Sequence, residues 1–329
     1  METEIFNREE LALIDDRESS DQESSSSPFI IANTVRSSLS EIKASHVIPV
    51  FIKDNEPVIS HSDFIECTQS IVADLFAGEI ILKPSVRLSH PVKGRIPEAK
   101  QKPANQLLEH EKTLYFERMA FAIEIASIQD TIAGNTLSLT IGGVKAYNLD
   151  NLYHRKGADE HFKIFVGFQN KVCTNLCVWS DGYISDLKVK NASQLKASIR
   201  SLVENYNAHK HISALQKLAN YELTEQQFAI LIGRCRMYNN LPQNQRNEIT
   251  PLLLSDTQLG SVVKDYYRDN SFCKAENGNI NLWKLYNLLT GSNKSSYIDT
   301  FLDRSSNAFQ FAHDLGVALE RKETNWFLN

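Results

Sequence analysis

The sequence predicts an α+β fold, a mostly antiparallel sheet domain followed by a helical C-terminal half, and three observations carry that expectation. Apolar and polar residues alternate with period two over much of residues 112–190, the pattern of strands with one buried face. After residue 192 the apolar positions recur at three-to-four spacing behind Ser, Thr and Asn, the pattern of capped amphipathic helices. With 329 residues, 42% hydrophobic content, 16 Phe and 11 Tyr, the chain can fill a sizeable core and does not have the composition of a disordered protein.

Residues 1–28 join low hydrophobicity to a serine run and read as an acidic, Ser-rich disordered tail. "SHVIPVFIK" (45–53) and "PVISH" (57–61) read as short strands around the turn "DNE". "SDFIECTQSIVADLFAG" sets Phe64, Ile65, Ile71, Val72, Leu75 and Phe76 at helical spacing and stops at Gly78, so it is expected to be a helix. Residues 83–103 hold four prolines, one glycine and six Lys or Arg against one Glu, which predicts a basic, semi-extended loop. "TLYFERMAFAIEIAS" and "NTLSLTIGGVKAYN" alternate around the turn "QDTIAGN". "HFKIFVGF" and "VCTNLCVW" follow as strands, and "DGYISDLKVK" is expected as a further strand after an Asp-Gly turn. Five helices are then expected in "SQLKASIRSLVENYN", "TEQQFAILIGRCRMYNN", "SDTQLGSVVKDYYRD", "NLWKLYNLLTG" and "SNAFQFAHDLGVALERK". The expected organisation is the tail at 1–28, a mainly β domain at 29–190 and a helical region at 191–329 packed on the sheet.

The net charge of −5 conceals a division: residues 1–30 carry nine acids against two arginines, leaving +2 on the remainder. A slightly basic body leaves nucleic acid open as a partner. No run of about 18 apolar residues exists for a transmembrane helix, and the N-terminus lacks the basic-then-apolar order of a signal peptide. The five cysteines (67, 173, 177, 235 and 273) are odd in number and scattered, the expected usage of reduced thiols in a cytoplasmic protein.

Four segments together carry a resemblance: "SHPVKGRIPEAK", "GGVKAYNLDNLYHRKGADEHFKIFVGFQNKVCTNLCVWSDG", "LTEQQFAILIGRCRMYNNLP" and "GNINLWKLYNLLTGSNKSSYIDTFLDRS". Over residues 45–329 the chain resembles an uncharacterised domain-of-unknown-function family of bacterial plasmid, conjugative-element and phage proteins. It is more distantly similar to the broader phage/plasmid-like proteins. The matching positions are Asn148, then Val172-Cys173-Thr174-Asn175, then Trp283-Lys284-Leu285-Tyr286-Asn287. Where the family pattern has Ser-x-Asp-Gly after the first Asn, this chain has "NLDN". The resemblance implies a mobile-element context and supplies no reaction.

Cys173 is a candidate nucleophile, with His161 as a cross-strand base and Asp159 or Glu160 to orient it. Cys173 and Cys177, four apart, would lie about 13 Å apart on an extended strand, too far for a disulfide or a shared metal, and the spacing favours core packing. Asp186-Leu187-Lys188 matches the acid-x-Lys tripeptide of metal-dependent nucleases, with Asp159 or Glu160 as the second acid. Glu41-Ile42-Lys43, Glu98-Ala99-Lys100 and Glu320-Arg321-Lys322 match it as well, so the tripeptide discriminates little. The nine histidines form no zinc motif, "HKH" (209–211) is expected in a solvated loop, and no metal or other cofactor is predicted. "IGGVK" (141–145) lacks the phosphate-loop spacing. Its Gly142 and Gly143 are expected at a bulge or a close backbone approach.

The strongest functional signal is basic. Lys83, Arg87, Lys93, Arg95, Lys100 and Lys102, with Lys145, Arg155, Lys156 and Lys163, could line a nucleic-acid backbone. Tyr147, Tyr153, His154 and Phe162 are interleaved as stacking surfaces. Tyr266, Tyr267, Arg268, Trp283 and Tyr286 have the helical spacing of core. The amides Asn148, Gln169, Asn170, Asn175 and Asn287 suit either base edges or buried backbone. The expected function is therefore nucleic-acid handling without hydrolysis, in single-strand binding or recombination support. The alternatives are a metal nuclease or Cys-dependent enzyme, and an interaction or anti-defence protein that uses its acidic tail. The expected partner is single-stranded or duplex DNA and not a membrane.

Overall fold

The computed structural model describes residues 28–44, 59–151 and 159–329. A six-stranded sheet, antiparallel throughout, runs in the order β1 (Thr34–Ser37), β2 (Ser85–Ser89), β5 (Arg118–Ile132), β6 (Asn135–Ala146), β7 (Glu160–Asn170) and β8 (Leu176–Val189). Between β2 and β5 the chain forms a separate two-stranded ribbon, β3 (Pro91–Arg95) with β4 (Lys112–Phe116). Helices α1 (Leu39–Ala44), α2 (His61–Leu75) and α3 (Tyr147–Asn151) punctuate this half. The C-terminal half is helical: α4 (Ala192–Asn205), α5 (Ala208–Leu218), α6 (Glu225–Tyr238), α7 (Gln243–Arg246), α8 (Asp256–Arg268), α9 (Leu282–Asn293) and α10 (Ile298–Arg321). A short pair, β9 (Glu222–Leu223) with β10 (Ile280–Asn281), ties the start of α6 to the start of α9. The fold class is α+β.

Except for α10, which Tyr297 precedes without a side-chain cap, the long helices start where side-chain oxygens satisfy the first free N–H groups. Ser60, Thr224 and Ser255 form capping boxes with Asp63, Gln227 and Gln258. Asn191, Asn207 and Asn281 cap α4, α5 and α9.

The central strands are buried on both faces. Met119, Phe121, Ile123, Leu139, Ile141, Phe162 and Ile164 join Phe64 of α2 in one core. The opposite face presents Ala120, Ala122, Val144, Phe165 and Val178 to Phe29, Ile298, Phe301 and Leu302. One hairpin is set by Ala133-Gly134, with φ of 46° and 81°, the two left-handed residues of a tight connection whose twist matches the strands. The turn expected over "QDTIAGN" therefore narrows to two residues, and β5 reaches it past a bulge between Ile125 and Gln129.

Several expectations are corrected. The basic loop at 83–103 contains two strands, because Pro91 opens β3 and Pro84 precedes β2, positions where the missing N–H breaks no ladder. "DGYISDLKVK" does not begin a new strand, since β8 runs through Asp181 and Gly182. A Cβ at Gly182 would lie 2.2 Å from the Val166 carbonyl oxygen, so this glycine allows close approach inside a strand. "VCTNLCVW" is strand only from Leu176; Cys173 sits in the preceding turn, next to Thr174 at φ 57°. "HKH" lies in α5, where His211 is fully buried and its Nδ1 lies 2.6 Å from the Tyr206 hydroxyl. The strand expected at 45–53 and residues 57 and 58 of the next lie outside the described residues, while the rest of 57–61 is not strand: Ile59 is a bend, and Ser60 and His61 cap and open α2. The disordered-tail reading of residues 1–27 also lies outside the described residues.

Gly143 meets two elements at once: a Cβ there would lie 2.4 Å from the Lys163 carbonyl oxygen and 2.5 Å from Phe64 Cζ. Gly143→Ala is expected to lower stability by about 1–3 kcal/mol through overpacking, read as a drop in the urea midpoint. A midpoint within error of the parent protein would contradict the tight approach of β6, β7 and α2.

Candidate functional site

Several predicted cations point inward. Lys145 lies on β6 beneath α2 and is fully buried. Its ammonium donates to Glu160 Oε2 at 2.6 Å and Asp150 Oδ2 at 3.4 Å, and lies 4.0 Å from the centroid of Phe162. Glu160 also accepts from the Ile59 N–H, and Asp150 from the His161 N–H. His61 Nε2 lies 2.7 Å from the Phe116 carbonyl oxygen, and its ring packs on Tyr147 at 4.3 Å. Burial pushes the His61 imidazole down to about 3, so it is neutral and Nε2 carries the proton.

This closed network corrects the expectation that Lys145, Tyr147 and Phe162 face a nucleic acid, since all three are at most 1% exposed. Lys163 is likewise engaged, donating to the Asp299 carbonyl oxygen at 2.6 Å and to Asp303 on α10. Arg87 donates to Thr34 across the β1–β2 pair. Arg155 and Lys156, with Tyr153 and His154, lie outside the described residues.

The remaining cations gather at the β3–β4 ribbon. Lys93 and Lys100 are exposed, and no ion pair engages either among the described residues. Arg95 donates to the Lys102 carbonyl oxygen, Lys102 pairs with Glu111, and Lys112 pairs with Glu109. Lys83 is exposed beside β2. Register puts Arg95 directly opposite Lys112 and Lys93 opposite Leu114, so three cations share one ribbon face with alternate side chains.

Three of the predicted amides converge at the opposite end of the sheet. Asn170 Nδ2 donates to Asn287 Oδ1 at 3.0 Å, and Asn175 Nδ2 to the Asn287 carbonyl oxygen at 2.9 Å. Asn287 Nδ2 donates in turn to the Trp283 carbonyl oxygen. Asn170 Oδ1 accepts from the Val172 N–H inside the turn. The three are at most 2% exposed and fasten the β7–β8 hairpin tip to α9. Gln169 reaches the Thr174 carbonyl oxygen at 3.4 Å, and Asn148 stands apart on α3. Lys294, just after α9, completes the attachment by donating to the Cys173 carbonyl oxygen and to Thr174 Oγ1.

Cys173 faces Asn287 Oδ1 at 3.8 Å, and burial pushes its thiol up to about 11. His161 does not serve it: His161 Nδ1 lies 2.8 Å from Asp186 Oδ1, and Lys188 reaches the same carboxylate at 3.0 Å. The His161 contact, foremost, holds the Asp186 carboxyl below its ordinary value. The structure thus joins Asp186 and Lys188 of the nuclease reading to His161, the expected base of the cysteine reading. Asp159 precedes β7 without a hydrogen bond or ion pair to them, and no group of three or more His, Cys, Asp or Glu among the described residues could hold a metal ion.

Lys294, His61 and Asp303 were missed by the sequence reading. Nothing local marks Lys294 as buried, since its partners lie about 120 residues away.

Two outcomes test these assignments. Lys145→Met strands the Glu160 carboxylate in the core and is expected to cost about 3–5 kcal/mol, with Glu160→Gln in the same chain restoring part of the loss in chemical denaturation. The Cys173 thiolate fraction at neutral pH is expected on the order of a hundredfold below that of an unfolded cysteine. Alkylation of Cys173 should therefore be slow at pH 7 and accelerate with pH until about 11. A pH-independent rate above pH 8 would contradict the buried thiol.

Neither a curated protein nor a solved structure matches the chain. A family profile described as "Domain of unknown function, B. Theta Gene description (DUF3871)" matches residues 10–328. That span takes in most of the acidic segment, which the sequence resemblance had left outside. The chain belongs to this family of domains of unknown function.

Proposed function

We propose that the protein binds nucleic acid through the β3–β4 ribbon without hydrolysing it, and that it acts in single-strand binding or recombination support on a mobile element. The observation that carries this reading is the cross-strand juxtaposition of Arg95 and Lys112, flanked by Lys93, on an exposed two-stranded ribbon. Glu109 offsets the Lys112 charge and the Lys102 carbonyl oxygen holds Arg95, so a phosphate spanning the two cations competes with one exposed acid and releases counterions. Residues 83–112 carry seven Lys or Arg against three Glu, so the region keeps a positive excess after its internal ion pairs are satisfied. Two-stranded ribbons are an established geometry for reading duplexes, and Leu114, 39% exposed on the cationic face, suits contact with sugars or bases. The mobile-element setting rests on the resemblance of the four segments named above.

The test is fluorescence anisotropy with a labelled single-stranded DNA at several salt concentrations. Binding is expected at about 50 mM salt and to weaken with a log–log slope of about −0.7 per phosphate contacted. Reversing Lys93, Arg95 and Lys112 to Glu should abolish binding and leave the melting temperature within a few degrees. Absence of binding at low salt, or unchanged binding by the triple variant, overturns the proposal.

A further inference from the structure

Between the β7–β8 hairpin tip and helices α8 and α9 lies a cleft of about 260 Å³. Its walls carry opposite charges. Asp265 and Asp269 stand one turn apart at the end of α8. Burial, and then the Asp269 charge, push the Asp265 carboxyl above its ordinary value. On the other wall Lys294 is 5% exposed. Two of its ammonium hydrogens are accounted for by the Cys173 carbonyl oxygen and Thr174 Oγ1, and among the described residues it has no carboxylate partner. Asn175, 2% exposed, leaves Oδ1 without a hydrogen-bond partner. Phe272 and Leu288 supply apolar lining.

A buried ammonium without a counter-ion and a buried amide oxygen without a donor are both costly, and here both line one cleft. We propose that this cleft binds a small zwitterion of the α-amino-acid type. The ligand ammonium lies toward Asp265 and Asp269, its carboxylate takes the remaining N–H of Lys294, and its apolar part packs on Phe272 and Leu288. A purely anionic ligand would meet the aspartate pair, and a bare cation would leave Lys294 uncompensated; a molecule with both charges satisfies both walls. The volume lies below that of drug-sized pockets, as an amino-acid-sized occupant requires. The proposal is independent of the ribbon and of nucleic-acid binding.

Isothermal calorimetry on the full chain with the twenty free proteinogenic amino acids tests it. Each ligand found is then compared with its N-acetyl derivative and its decarboxylated amine. At least one amino acid is expected to bind, and removing either charge should weaken it by about tenfold or more. Asp265→Asn, at a half-buried position without a hydrogen bond to lose, should weaken binding equally and leave the ligand-free melting temperature unchanged. Lys294→Met should erase the preference for the amino acid over its amine. If that variant fails to fold, the derivatives and Asp265→Asn still decide. Failure of every amino acid to bind, equal binding of the N-acetyl or decarboxylated form, or undiminished binding to Asp265→Asn overturns the site.

Discussion

A sheet covered on both faces is the constraint on which the rest of this structure depends. Strands β5 up to Ile125, β6 and β7 bury side chains alternately into two separate cores, and only the far end of β5, at Ser127, Gln129 and Thr131, keeps a wet side. Such strands must approach their neighbours closely, and glycine appears where the β5 backbone comes close, at Gly142, and where the β7 backbone and Phe64 of α2 converge, at Gly143. They must also neutralise any charge they carry, because an ion taken out of water without a partner is strongly unfavourable. Lys145 meets Glu160 and Asp150 on one face, and Lys163 meets Asp303 on the other. These two pairs make opposite attachments. The first holds the α3 segment and Ile59 to β7, and the second holds α10 to the sheet.

Covering the sheet twice also obliges the helical half to be fastened at a defined place, and amides do that work. Asn287 is a donor to its own helix and an acceptor for both sides of the β7–β8 tip. An amide fits this position because it donates and accepts simultaneously, whereas a carboxylate there could not donate and would be buried with charge. Nearby, Trp283 donates to Asn135 at the start of β6. Helix α9 is thereby attached to two hairpins through polar contacts at fixed geometry, and the cleft beside Lys294 has walls that packing and hydrogen bonds already hold in place.

Much of the fold was legible in the sequence because its signals are local. Thr224, Ser255 and Asn281 sit one residue before their helices, and capping needs nothing beyond the next turn; Ser60, read as strand, and Asn191, left two residues outside its helix, were the caps not recognised. The amides at 170, 175 and 287 were singled out, and the structure joins them, although spacing could not give their pairing across more than 100 residues. What misled was the assumption that polar means wet. Lys145 beside Tyr147, with Phe162 in the next strand, has the composition of a stacking surface, yet every one of these residues is interior. His211 of "HKH" read as loop for the same reason, although its ring packs among Phe168, Trp179 and Phe309. The Asp-Gly pair at 181–182 failed differently: a glycine needed for close approach is indistinguishable in one sequence from a glycine needed for a turn.

The same reasoning separates cations that build the molecule from cations left in water. Residue type does not distinguish Lys145 from Lys93; the layer each occupies does. Within the doubly covered sheet a lysine persists because an acid stands against it, so removing the acid should be felt by the fold. On the β3–β4 ribbon, outside both cores, side chains at Pro91, Val92, Lys93, Lys112 and Leu114 remain in water, where ion pairs contribute little to stability. Arg95 and Lys112 can therefore stand opposite each other without cost to the core. Glu109 offsets Lys112 and the Lys102 carbonyl oxygen engages Arg95, so both cations are balanced at the surface without entering a core. The layer a lysine occupies thus decides whether the fold depends on it or leaves it in water.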